Sequence, residues 1–205
     1  MKFVSAALLA ALALAGCGSE EADEVLAPQP VTVTETVTET QPTSTEPEAQ
    51  CSTAGLRLTL PEQDLPPAVA DVRKRVFDAA AACDYDALEE IALEKGEGFT
   101  FSYGADTDAS EHWRSVEEGS EEEPKPMQAL AAILTMPYTR NESGSYAWPT
   151  AYSERPTEEA WQALADAGLY PQEAVEGMKT QGTGYLGYRT AITADGDWQF
   201  FVAGD

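Results

Sequence analysis

The fold is decided by residues 185–202, YLGYRTAITADGDWQFFV. Two runs rich in apolar residues, 185–193 and 198–202, flank an Asp-Gly pair, which is a strong signal for a tight hairpin turn. Phe200 and Phe201 are neighbours, so their side chains point to opposite faces of a strand. The sequence therefore predicts a C-terminal β-hairpin that is covered, at least in part, on both faces.

Upstream of this hairpin, apolar residues recur at helical spacing, as in the stripe Val69, Val72, Val76, Phe77 and Ala80. Proline can begin a helix, and Asp or Thr can cap one. The candidate helix starts are Pro67, Asp84 or Asp86, Asp108, Pro126, Thr157 and Pro171.

Two further strand signals complete the pattern. Residues 138–140 and 146–148 flank Asn-Glu-Ser-Gly and read as a hairpin, and residues 99–103 alternate aromatic with polar side chains. Helices followed by antiparallel hairpins, with more helices between them, indicate an α+β fold. We expect helices packed on a curved antiparallel sheet.

The chain is strongly acidic, with 36 Asp+Glu against 12 Lys+Arg and a formal net charge of -24. Binding a phosphate backbone requires clustered Lys and Arg. The one basic run, Arg73-Lys74-Arg75, falls inside a helical pattern, and we interpret it as a solvated helix face. No nucleic-acid partner is therefore expected.

The first residues have the features of an export signal. Met1-Lys2 precedes an apolar run, residues 3–15, that is too short to span a bilayer comfortably. Leu14-Ala15-Gly16-Cys17 resembles the lipobox of bacterial lipoproteins. The resemblance implies removal of residues 1–16 as a signal peptide, diacylglycerol on the Cys17 sulfur and usually acylation (palmitate) of the new amino terminus.

The lipobox resemblance also implies an address. The lipid anchor makes a membrane the expected partner and places the chain outside the cytoplasm, in the periplasm or at the cell surface. The alternative is an ordinary secreted protein in which Cys17 occurs by chance.

Residues 17–50 contain no aromatic residue and are rich in Thr, Glu and Pro. Such a composition cannot bury enough apolar area to offset the entropy of ordering, so we expect a disordered linker. It resembles the stalks of surface lipoproteins. Residues 31–40, VTVTETVTET, also fit a strand, which remains the alternative. Residues 51–205 are then long enough for one globular domain.

Assigning Cys17 to lipid leaves Cys51 and Cys83 as a pair in an oxidising compartment. Cys51 opens the folded region and Cys83 ends a helical pattern, so a disulfide would tie the start of the domain to its first helix. Two free thiols are the alternative. Neither cysteine belongs to a CxxC motif, so redox catalysis and zinc binding are not expected.

A further resemblance is carried by CDYDALEEIAL at residues 83–93 and DGDWQFF at residues 195–201. Both are similar to parts of nuclear transport factor 2-like proteins, in which a curved sheet wraps a long helix and leaves a pocket. The middle of the chain departs from that family, because helices are predicted where its sheet continues. Residues 65–205 also resemble uncharacterised bacterial exported domains ending in DGxWxFFVAGD, a relationship that implies no activity.

No catalytic or metal-binding motif is present, and no cofactor is predicted. His112, the only histidine, lies beside Glu111 and is either a general base or a solvent-facing helix residue. The GxSxG signature of a hydrolase nucleophile is absent. Asp106 and Asp108 lack the spacing of a calcium loop and are interpreted as cap and turn residues.

Aromatic residues are the strongest candidates for ligand contacts, because Tyr and Trp combine an apolar ring with a polar group. A core and its rim is the alternative interpretation of these residues. The candidate pocket residues are Trp113, Arg114, Tyr138, Trp148, Tyr152 and Tyr188.

The leading functional hypothesis is a non-catalytic envelope domain that binds a small ligand or an envelope protein at the end of a stalk. One alternative is an extracytoplasmic hydrolase or isomerase with His112 or a buried carboxylate as base. The other is a structural surface component, which predicts no pocket of ligand size.

Overall fold

The C-terminal hairpin forms one side of a four-stranded antiparallel sheet whose strands follow chain order. The computed structural model describes residues 51–96, 98–119 and 124–204. The expected signal peptide (1–16), the lipidation site Cys17 and the linker (17–50) lie outside the described residues. Within the described ranges the chain has an α+β fold, as predicted.

The strands are β1 (Thr139–Arg140), β2 (Tyr146–Trp148), β3 (Arg189–Ile192) and β4 (Trp198–Val202). The helices of the described part are α1 (Pro67–Ala82), α2 (Tyr85–Leu93), α3 (Ala109–Gly119), α4 (Pro126–Thr135), α5 (Glu158–Ala167) and α6 (Gln172–Gln181), with a 3₁₀ helix at Thr150–Tyr152. None of these helices has the length and apolar character needed to cross a membrane.

Both predicted hairpins are confirmed: β1 pairs with β2, and β3 pairs with β4. The C-terminal turn is closed by Gly196 N–H donating to Thr193 O, at 2.9 Å. Gly196 has a φ of +85°, and a Cβ at this position would lie 3.0 Å from the carbonyl oxygen of Ala68 in α1. Glycine is therefore required both by the turn and by the close approach of the hairpin to α1.

The predicted apolar stripe of α1 is buried along its length. This stripe packs against α4 and α2, and both α1 and α4 contact β3. Trp113 of α3 joins these helices to the sheet, with its ring centroid 6.1 Å from that of Phe201. Phe200 lies on the other face, 6.0 Å from the ring of Tyr152. Cover on both faces of the hairpin is therefore confirmed.

Two predicted strands are shorter than expected. The prediction of a strand at residues 99–103 is wrong, because Thr100 alone bridges to Phe200 of β4, in a parallel pair. Phe99 and Phe101 pack on Trp113 instead, so the alternating pattern reports a shared apolar face and not an extended ladder. The strand predicted from Tyr185 begins only at Arg189.

The basic run at residues 73–75 is only partly solvated, contrary to the prediction, because Arg73 is buried. Its Nε and Nη2 donate to Leu134 O at 3.1 and 2.6 Å, and its Nη1 donates to Pro61 O at 2.9 Å. The guanidinium lies 5.8 Å from the ring centroid of Trp148. Burial lowers the pKa of Arg73 to about 10. One cation therefore links α1, the C-terminal end of α4, the segment before α1, and β2.

Cys51 and Cys83 form the predicted disulfide, with Cα atoms 5.7 Å apart. The neighbouring residue strengthens this attachment: Ser52 Oγ donates to Glu117 Oε1 at 2.5 Å and accepts from Gln128 N–H at 3.1 Å. The start of the domain is thus joined to α1, α3 and α4.

Replacing both Cys51 and Cys83 by Ala should lower the free energy of unfolding. The cysteines are 32 positions apart, and releasing a loop of that length costs about 3 to 4 kcal/mol in the chain-entropy model. Urea denaturation under non-reducing conditions measures the change. Cys17→Ser is the control and should leave stability unaltered. Equal midpoints for the double variant and the control would contradict the assignment.

Arg73→Met should destabilise the domain by about 2 kcal/mol, because it leaves the buried carbonyl of Leu134 without its donor. Lys74→Met, at the exposed neighbouring position, is the matched control and should change stability by less than about 0.5 kcal/mol. Thermal and urea unfolding followed by circular dichroism distinguish the two. Similar losses for both variants would show that the buried contacts of Arg73 are not stabilising.

Candidate functional site

A groove of about 910 Å³ lies between the β1–β2 hairpin, the 3₁₀ helix with the residues after it, and residues 183–189. Its volume is in the range of about 300 to 1,000 Å³ that small-molecule sites occupy. Polar and charged side chains dominate the lining. The charged ones are Arg140, Glu142, Glu154, Arg155 and Arg189.

The first wall is the turn of the β1–β2 hairpin. Asn141 Oδ1 accepts from Ser145 N–H at 2.9 Å and from Ser143 Oγ at 2.7 Å, which holds the turn in shape. Arg140 lies with its guanidinium 4.1 Å from the ring centroid of Tyr146. The hairpin therefore presents Arg140 and Glu142 to the groove on a backbone with internal hydrogen bonds.

The opposite wall is held by three tyrosines. Tyr185 Oη donates to Tyr188 O at 2.8 Å, and Tyr188 N–H donates to Tyr170 Oη at 2.7 Å. Burial raises the pKa of Tyr185 well above its usual value and also raises that of Tyr170, so both phenols stay neutral, Tyr185 as a donor and Tyr170 as an acceptor. A Cβ at Gly187 would lie 2.5 Å from both of those hydroxyl oxygens, so only glycine fits there.

Arg189 is only 6% exposed yet contributes to the lining of the groove. Its Nη2 donates to Tyr103 Oη at 3.0 Å and its Nη1 contacts Gly187 O at 3.4 Å. The guanidinium lies 5.3 Å from the ring centroid of Tyr152. Within the described ranges its remaining N–H groups have no acceptor. The side chain is thus held in place with donors to spare.

In the described part of the chain, the arginines of the groove lack the ion pairs that several basic residues elsewhere on the domain form. Arg75 pairs with Glu94, for example, and Lys179 pairs with Glu158. No ion pair among the described residues involves the arginines of the groove, at positions 140, 155 and 189. The groove therefore holds three arginines without ion pairs, together with Glu142 and Glu154, on an acidic protein.

The two glutamates of the groove contact each other. A hydrogen bond to Glu142 and repulsion from its charge raise the pKa of Glu154. Because one residue follows the 3₁₀ helix and the other lies in the hairpin turn, this contact joins two walls of the groove.

The predicted pocket residues do not come together in one cavity. Tyr152 lines the groove, whereas Trp113 and Tyr188 line a separate cavity of about 220 Å³ beside His112. Trp113 is also fully packed between helix and sheet, which makes it mainly a core residue.

The other three predicted pocket residues, Arg114, Tyr138 and Trp148, have structural partners. Arg114 Nη2 pairs with Asp86 Oδ1 at 2.6 Å. Tyr138 Oη donates to Asp64 O at 3.0 Å, and Trp148 Nε1 donates to Gln63 Oε1 at 3.2 Å. The contacts of Tyr138 and Trp148 attach the segment before α1 to the β1–β2 part of the fold.

His112 has a carboxylate partner, but it does not lie between that carboxylate and a nucleophile. Its Nδ1 lies 3.2 Å from Asp106 Oδ2, and Ser102 Oγ donates to that same oxygen at 3.0 Å. In a catalytic triad the histidine lies between the hydroxyl and the carboxylate. Here the carboxylate lies between the other two, so the cluster orders a loop. No group of metal-binding side chains occurs in the described residues.

The arginines of the groove were missed in the sequence because they are far apart in the chain. The available signal was weak: the chain has seven arginines among its 205 residues, and of those in the groove Arg140 and Arg189 fall in predicted strands while Arg155 precedes a predicted helix cap.

No family model, curated protein or solved structure matches this chain.

Proposed function

We propose that residues 51–205 form a non-catalytic ligand-binding domain, tethered outside the cytoplasm by lipid on Cys17. The observation that carries this proposal is the groove, which has ligand size and converging, preorganised polar side chains. A structural surface component would need no such cavity.

Binding is favoured over catalysis by the groups in the groove. Its lining has no His and no Cys, and its arginines are permanent cations that cannot take up a proton. Held donors of this kind orient a ligand and contribute affinity without chemistry. A binding role therefore uses the held arginine donors of the groove.

The proposed location has two independent supports. The lipobox-like Leu-Ala-Gly-Cys at residues 14–17 is one. The Cys51–Cys83 disulfide is the other, because disulfides persist in oxidising compartments and are rare in the cytosol. A stable anchor takes more than one acyl chain, which a lipoprotein amino terminus would provide.

Cys17→Ser should leave the membrane fraction, or remain unprocessed with its leader attached. The variant lacks the sulfur that would carry the diacylglycerol. Fractionation, followed by mass spectrometry of the amino-terminal peptide, measures both results. Cys51→Ala/Cys83→Ala serves as the control, because its anchor is intact. Wild-type processing and membrane association of Cys17→Ser would contradict the anchor.

Filling the groove should abolish ligand binding. Thr183 is exposed and lines the groove, so Thr183→Trp obstructs it, whereas Thr180→Trp places the same side chain on an exposed position of α6 outside it. A panel of neutral and acidic oligosaccharides, amino acids and dipeptides is screened by saturation-transfer NMR against the full chain after residue 17. We expect at least one ligand whose binding Thr183→Trp removes and Thr180→Trp preserves.

Two results of this screen would contradict the proposed function. One is that no member of the panel binds the wild-type chain. The other is that Thr183→Trp folds normally and binds every ligand as tightly as Thr180→Trp does.

A further inference from the structure

We infer that the groove binds a carboxylated carbohydrate of the uronic-acid type, with Arg189 as the anchor for a carboxylate. This inference rests on the proposed function and names the ligand class of the same groove. Its basis is the combination of arginines without ion pairs, two glutamates and a half-buried tyrosine ring in one open cavity.

The arginines indicate an anionic ligand. The chain has three times as many acidic as basic residues, 36 against 12, and most lysines and arginines of the described residues outside the groove form an ion pair. Arg140, Arg155 and Arg189 nevertheless have no ion pair among the described residues, and all three line the groove. Their positive charge is available for a ligand.

Arg189 has the geometry of an anchor. Tyr103 Oη, Gly187 O and the ring of Tyr152 hold its guanidinium, and its low exposure limits competition from water. A planar guanidinium with free N–H groups matches a carboxylate with two parallel hydrogen bonds. Little side-chain entropy is lost on binding, because the arginine is already ordered.

The glutamates indicate that the ligand also carries hydroxyl groups. Glu142 and Glu154 would repel a dense polyanion such as polyphosphate, because they bring negative charge to the same lining. A carboxylate is satisfied only by donors, and a hydroxyl can donate to it while accepting from an arginine. A sugar acid has both features: isolated charges and many hydroxyls.

The remaining lining suits a carbohydrate as well. Tyr152 offers an aromatic ring to the groove, and Ser143, Ser153 and Thr183 offer hydroxyl groups. The groove is open to solvent, so a ligand can reach these groups. Strongly apolar ligands find no matching surface there.

Trigalacturonate and its trimethyl ester form a matched probe pair, because they differ only in the charge of their carboxyl groups. Each is titrated by isothermal calorimetry into the full chain after residue 17. We expect the acid to bind at least about tenfold more tightly than the ester, since the ester cannot make charge-assisted hydrogen bonds. Tripolyphosphate should bind more weakly than the acid.

Variants assign the binding to the groove. Arg155→Gln, at an exposed position, should weaken trigalacturonate about two- to fivefold, the range of a solvent-exposed charge pair. Arg57→Gln is the matched control, since Arg57 is exposed and does not line the groove. Arg189→Gln should remove binding, and near-ultraviolet circular dichroism checks that this variant folds. If Arg189→Gln does not fold, Arg155→Gln provides the test.

The outcomes separate this inference from the proposed function. Equal binding of acid and ester, both blocked by Thr183→Trp, overturns the anionic ligand class and leaves the ligand-binding domain standing. Tighter binding of tripolyphosphate than of trigalacturonate overturns the carbohydrate. Binding of neither sugar overturns the inference alone if another panel ligand occupies the groove, and overturns both proposals if none does.

Discussion

The guanidinium of Arg73 is the constraint on which the rest of the domain depends. Its three hydrogen bonds attach α1 to the last turn of α4 and to the segment before α1. It has no carboxylate partner among the described residues, and carbonyl oxygens at a helix C-terminus, where the helix dipole is negative, compensate its charge. Because α4 leads directly into β1, and Trp148 of β2 lies beside the guanidinium, this contact also positions the hairpin that forms one wall of the groove.

The two walls of the groove are built by different means. The hairpin wall depends on Asn141, whose side-chain oxygen accepts two hydrogen bonds from residues of the same turn. The opposite wall depends on Tyr170, which reaches from the end of α5 to the backbone of Tyr188. Gly187 leaves room for the phenols, and the chain enters β3 only after this cluster. This wall therefore depends on contacts between distant segments. The start of β3 at Arg189, later than the sequence predicts, is part of the site.

Charge gives the groove its chemical character. The formal net charge of -24 of the full chain disfavours most anionic partners at long range. Three arginines at one place supply positive charge locally, and fixed neighbours keep Arg189 from turning toward a protein carboxylate. An anionic ligand would then be selected by short-range geometry, because long-range electrostatic steering toward the domain is weak. Weak steering suits a multivalent or locally abundant ligand more than a scarce one.

Local rules in the sequence determined the helix starts at Pro67, Pro126 and Thr157 and both hairpin turns, because caps, prolines and turn residues act on neighbours in the chain. They also determined the α+β class. The number of cysteines, with Cys17 assigned to lipid, predicted the disulfide. Tertiary structure alone decided that Arg73 is buried, that residues 99–103 form a single bridge, and that Arg140, Arg155 and Arg189 share a groove. Whether a side chain is buried, and which side chains share a groove, depends on which distant segments pack together. Neither the periodicity of the sequence nor the residue type predicts that packing.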